Sequence, residues 1–165
     1  MLLGCVTAFA LNAVHLPVKT YATADGLVHN SIHRILRDFR GFLWFGTAEG
    51  ISRFDGYSFT NYGTAEGLPH PNVVDMLETR SGVYCIATGG GICRFASRKP
   101  SEPNGATFTV APLPPAAGLE VRSLAEGHDG TLWVGTTQGL CRSVRRAKPE
   151  AFELVELGIH PSYTA

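Results

Sequence analysis

Gly41-Phe42-Leu43-Trp44-Phe45-Gly46-Thr47-Ala48-Glu49-Gly50-Ile51-Ser52-Arg53-Phe54 decides the fold, because the chain repeats it. The second copy, 41 residues on, is Gly82-Val83-Tyr84-Cys85-Ile86-Ala87-Thr88-Gly89-Gly90-Gly91-Ile92-Cys93-Arg94-Phe95. The third, 48 residues further, is Gly130-Thr131-Leu132-Trp133-Val134-Gly135-Thr136-Thr137-Gln138-Gly139-Leu140-Cys141-Arg142. An apolar segment begins nine residues before each copy, at Ile32, Val73 and Val121. The approach recurs too: Tyr21-Ala22-Thr23-Ala24-Asp25-Gly26-Leu27 lines up with Tyr62-Gly63-Thr64-Ala65-Glu66-Gly67-Leu68. A period in the forties with glycine punctuation marks an array of supersecondary units, none of which can bury its apolar face alone. The expected architecture is all-β: about three four-stranded antiparallel β-propeller blades, forming an incomplete ring.

Each repeat supplies its four strands in order. The first runs from about Ser31 to Asp38, and Leu43–Thr47 is the second, short and rich in aromatic and β-branched residues. A tight hairpin follows, with Gly50 where a positive φ is needed. Ile51–Phe54 is the third strand, Asp55-Gly56 the next turn, and Ser58–Tyr62 the fourth, reappearing at Phe108–Val110 and Phe152–Val155. The seven extra residues of the second repeat fall in Ser97–Gly105, a loop with Pro and Ser, where insertions belong. The structural repeat positions are Gly41, Trp44, Thr47, Gly50 and Arg53; Gly82, Thr88, Gly91 and Arg94; and Gly130, Trp133, Thr136, Gly139 and Arg142. The tryptophans read as blade-to-blade packing, and the threonine hydroxyls as partners of nearby backbone. Each arginine is expected to pair with a carboxylate of the next blade.

Composition narrows the function. The chain has 165 residues, 19 glycines and 10 prolines, against the roughly 12% share of average usage, so turns are abundant. Fourteen Lys and Arg balance fourteen Asp and Glu, which argues against the clustered basic excess of a nucleic-acid binder. No apolar run approaches the roughly 18–20 residues of a membrane-spanning helix. Residues 1–16 resemble an export segment, with Ala8-Phe9-Ala10 as a small-x-small cleavage site. Residues 17–157 are expected to hold three repeats, at about 21–62, 63–112 and 113–157, and residues 158–165 to begin a truncated fourth.

Ile32-x-x-Ile35-x-x-Asp38-x-x-Gly41-x-Leu43-Trp44-Phe45-Gly46-Thr47-x-x-Gly50-Ile51-x-Arg53-Phe54-Asp55-Gly56 resembles the two-component regulator propeller repeat. The resemblance runs from Tyr21 to Arg142. The third copy departs from it at Gly127, which stands where the first has Asp38, and the second at Thr79, Cys85 and Ala87. It implies a periplasmic, ligand-sensing and non-catalytic part of a bacterial two-component signalling sensor, in a family that often senses carbohydrate fragments and other nutrients. The family's output modules are kinases, response-regulator hybrids or cyclases, and none of their motifs occurs in these 165 residues. Because propellers close with about four to eight blades, three leave open faces that invite further blades or self-association. Two other functions fit the same repeats: a propeller lyase similar to streptogramin lyase, and a gene fragment without independent function.

Candidate ligand-binding residues lie in the approach loops, where a propeller presents its ends: Asp25, His29 and Asn30 in the first repeat, Glu66, His70 and Asn72 in the second. Plain turn chemistry is the favoured reading of the same residues, since turns prefer Asp-Gly. Gly89-Gly90-Gly91 lacks the Lys, Ser/Thr and helix of a phosphate loop. His29 and His33, four apart on extended chain, do not converge as they would on a helix, so neither metal nor cofactor is expected. Of the four cysteines, Cys85, Cys93 and Cys141 are expected to be buried free thiols.

Overall fold

The structure, a computed structural model, describes residues 18–95, 108–144 and 151–156. The export-like segment, the Ser97–Gly105 loop and residues 158–165 lie outside them. Twelve strands form three antiparallel sheets of four. Blade 1 holds β1 (Ile32–Arg37), β2 (Leu43–Thr47), β3 (Gly50–Phe54) and β4 (Phe59–Tyr62). Blade 2 holds β5 (Val73–Glu78), β6 (Tyr84–Thr88), β7 (Gly91–Phe95) and β8 (Phe108–Ala111). Blade 3 holds β9 (Val121–Glu126), β10 (Leu132–Thr136), β11 (Gly139–Ser143) and β12 (Phe152–Leu154). The strands pair in sequence order within each sheet, so the three blades are the all-β propeller units that the repeat predicts.

The hairpins follow the repeat's own chemistry. Thr47 pairs with Gly50, Thr88 with Gly91 and Thr136 with Gly139 across two-residue turns. The threonine hydroxyls donate to the three glycine carbonyls at 2.9, 2.8 and 3.0 Å. Each also accepts an amide of the turn, from Glu49, Gly90 and Gln138. Gly50 has φ of 138°, and a Cβ there would stand 2.6 Å from the Tyr62 carbonyl oxygen. Both the backbone conformation and the space call for glycine. One feature goes beyond the period-2 reading: every first strand carries a register shift, at Ile32/Arg34, Val73/Asp75 and Val121/Ser123. Such bulges re-aim the residues that follow them.

Side chains alternate between the two faces of a strand, so each blade gives one face to each neighbour. Between blades 1 and 2, Trp44, Ile51, Leu68, Val73, Met76, Ile86, Cys93 and Phe108 form one core. Between blades 2 and 3, Cys85, Ala87, Ile92, Val121, Leu132, Val134, Cys141 and Phe152 form the other. Trp44 is 4% exposed and stacks 5.9 Å from Tyr62 of its own blade. Across the interface it meets Tyr84 at 5.4 Å and Phe95 at 5.0 Å. Trp133 occupies the same repeat position but is only half-buried, because its face of blade 3 has no neighbour among the described residues.

One of the repeated arginines, Arg53, corrects an expectation. Arg142 pairs with Glu153 of its own blade at 2.6 Å. Arg53 lies over the Phe42 and Trp44 rings of its own blade, at 4.8 and 5.8 Å. Among the described residues Arg53 has no carboxylate partner in blade 2. Ion pairs that cross between blades include Arg34 with Asp75 at 3.1 Å and Arg80 with Glu126 at 3.3 Å. The Phe42 and Trp44 rings beneath Arg53 hold its planar cation in place.

Candidate functional site

At one end of all three blades, the loop before the first strand is stitched to the hairpin between the second and third. The Ser31, Asn72 and Glu120 carbonyls accept the amides of Ala48, Gly89 and Thr137 at 3.2, 3.0 and 3.2 Å. Within this rim His29 and His70 are equivalent positions. Each Nδ1 accepts the amide two residues on, from Ser31 at 3.0 Å and Asn72 at 3.1 Å. The bond leaves each Nε2 uncommitted to its own loop and carrying the proton of the neutral ring. His70 also explains two of the three glycines of the second repeat, Gly89 and Gly90. A Cβ on Gly89 would stand 3.0 Å from its Nδ1, and one on Gly90 2.9 Å from its Cβ.

The other candidates serve the turns. Asp25 accepts the Ala22 amide at 2.9 Å, and Glu66 the Gly63 amide at 2.6 Å. Each carboxylate thereby closes a short 3-10 turn, Thr23–Asp25 and Thr64–Glu66, that ends in a left-handed glycine. Asn30 Oδ1 accepts the Thr23 amide at 2.9 Å. Asn72 Oδ1 is buried with no partner. No hydrogen bond among the described residues joins the first trio to the second, so the structure places the six on one rim without drawing them into one cluster.

Sequence reasoning missed the inner edge of this rim. His33, the bulged residue of β1, donates from Nδ1 to the Val73 carbonyl of blade 2 at 2.9 Å. Its Nε2 lies 3.3 Å from the Ser31 hydroxyl. Asp75 receives Arg34 from blade 1 and the Leu124 amide of blade 3 at 2.8 Å. These residues change from copy to copy, so the repeat pattern carries no trace of them. Among the described residues no group of three or more His, Cys, Asp or Glu converges as a metal would require.

Two recesses lie away from the rim. One of about 10 Å³ sits between blades 1 and 2 against Trp44, Met76, Tyr84, Ile86 and Phe95, room for no more than about one water. The other, about 270 Å³, is an open groove on the uncovered face of blade 3, lined by Asp129, Thr131, Arg142, Ser143, Val144 and Glu153.

Cys85, Cys93 and Cys141 are buried thiols in no disulfide among the described residues, as expected. Burial pushes the Cys93 thiol up to about 12, with the nearby Cys85 adding to it, and burial raises Cys141 as well. A protonated, enclosed thiol is a poor nucleophile. Alkylation at pH 8, mapped by mass spectrometry, is therefore expected to leave all three unmodified in the folded protein and to label them in denaturant. Modification at native rates would show that the blade cores open readily.

Three four-stranded blades packed face to face define a β-propeller segment. Residues 26–49 and 117–138 match the model of the two component regulator propeller, so two stretches of the chain are similar to that repeat. The matched residues leave out the second repeat, where Thr79, Cys85 and Ala87 depart from the pattern. Among solved structures, the chain is similar to the extracellular domain of a protein of B. thetaiotaomicron described as a hybrid two component system. The TM-score is 0.68 at 20% identity, over 84% of this chain and 19% of that one. An extracellular domain of a second B. thetaiotaomicron system matches with TM-score 0.62 at 21% identity, over 76% of this chain and 17% of that one. Virginiamycin B lyase from Staphylococcus aureus matches with TM-score 0.56 at 20% identity, over 81% of this chain and 43% of that one. The chain thus spans about a fifth of the two extracellular domains. No curated protein matches it. No helix among the described residues is long and apolar enough to cross a membrane.

Proposed function

We propose that these blades belong to the ligand-sensing, non-catalytic part of a two-component regulator, working outside the cytoplasm, with a small polar ligand such as a carbohydrate fragment bound at the loop rim. The observation that carries this reading is the rim itself. It sets equivalent histidines, His29 and His70, in fixed orientation on their loops, on a scaffold shared with extracellular domains of two-component systems. Ring N–H donors on rigid loops suit recognition of hydroxyl groups.

Isothermal titration of the chain against a glycan panel tests it. Heat from at least one member is expected, reduced about tenfold or more in affinity by His70→Ala. Absence of heat from every member removes the carbohydrate reading. The likeness to virginiamycin B lyase supports a second reading, a propeller lyase. Turnover of virginiamycin B, lost in His70→Ala, would favour it over sensing.

A further inference from the structure

The residue that ends the innermost strand of each blade recurs as Arg37, Glu78 and Glu126. The two glutamates do the same thing. Glu78 Oε2 accepts the amide of Phe39, in the bend of blade 1, at 3.1 Å. Glu126 Oε2 accepts the amide of Arg80, at the same bend position in blade 2, at 2.9 Å. A carboxylate on a backbone amide is a charge-assisted bond with a fixed direction, here always from a blade back to the one before it.

The next amide in the series belongs to His128, in the bend of blade 3. It donates no hydrogen bond among the described residues. Beside it the uncovered face presents Ala125, Trp133 and Leu140. Their equivalents are Leu36, Trp44 and Ile51 in blade 1 and Leu77, Cys85 and Ile92 in blade 2, and all six pack in the cores between blades. The apolar surface and the polar anchor of an interface are thus both in place on blade 3.

We propose that this face docks a further four-stranded blade of the same type whose innermost strand ends in a carboxylate, with the His128 amide as the anchor. The inference is independent of the sensing reading. Blade 1 of a second copy does not qualify, because Arg37 offers donors and no acceptor to the His128 amide. Arg37 is exposed, and no partner for it occurs among the described residues.

Arg37→Glu supplies the missing carboxylate on the chain's own blade 1 and turns the protein into its own probe. In sedimentation equilibrium, self-association of Arg37→Glu is expected at about tenfold lower concentration than that of the wild type. Arg37→Met removes the cation without adding an acceptor and is expected to shift association much less. Adding Ala125→Glu, a bulky charge at an exposed position of the docking face, is expected to abolish the gain. Circular dichroism confirms that each variant keeps its strands. No gain in Arg37→Glu, an equal gain in Arg37→Met, or a gain that survives Ala125→Glu overturns the proposal.

Discussion

Trp44→Ala is expected to cost the fold about 3–5 kcal/mol, and the same change at Trp133 only about 1 kcal/mol. The repeat gives the two residues one role, but the structure gives them different surroundings. Trp44 is wedged between its own blade and Tyr84 and Phe95 of the next, and its indole N–H donates to Asp38 at 2.9 Å. Truncation leaves a cavity walled by rings that cannot all collapse into it, and takes one of two donors from a buried carboxylate oxygen that keeps only the Tyr84 hydroxyl. Trp133 has no such wall, and Gly127 stands where the carboxylate would be. Chemical denaturation followed by circular dichroism measures both. Equal costs would mean that the tryptophan stabilises its own sheet and not the contact between blades.

Asp38→Asn is expected to cost about 2–3 kcal/mol at neutral pH, through a network the same tryptophan shares. The Asp38 carboxylate accepts the Trp44 indole, the Phe42 amide at 2.8 Å and the Tyr84 hydroxyl of blade 2 at 3.0 Å. Burial alone raises this carboxyl, but those hydrogen bonds outweigh it and the net shift is downward. Tyr84 is pushed well above its ordinary value, by burial first and then by its bond to Asp38. Because the folded carboxyl titrates below the unfolded one, its stabilisation is complete above about pH 4 and is lost as the pH falls through the folded value. The gap between wild type and Asp38→Asn should therefore narrow on acidification to pH 2. A gap that stays constant would locate the loss in packing, not in the charge.

The blades were legible because their signal is local and repeated. Alternation, glycine at the hairpin and a period in the forties each follow from one repeat's own needs, and three copies agree. Cys85 shows how far that reaches: it breaks the pattern, yet Ile86 and Ala87 keep β6 in register. Contacts between blades were not legible. Asp38 looked like a repeat consensus residue, and nothing near it announces that Tyr84, 46 positions away, completes its hydrogen bonds. Arg53 was misplaced for the same reason, since spacing fixes its strand and face but not the rings beneath it. Of the candidate rim, the sequence located the loops and the paired histidines. It could not show that Asp25 and Glu66 are engaged in capping their own turns.

Asp75 holds blade 1 through Arg34 and blade 3 through the Leu124 amide, so one carboxylate in the middle blade belongs to both interfaces. In most linear repeat arrays each junction has its own contacts, and an end unit can fray while the rest stays intact. Here the loosening of either junction releases a charge that the other still needs. The three sheets are thereby expected to unfold more cooperatively than blades whose junctions share no residue.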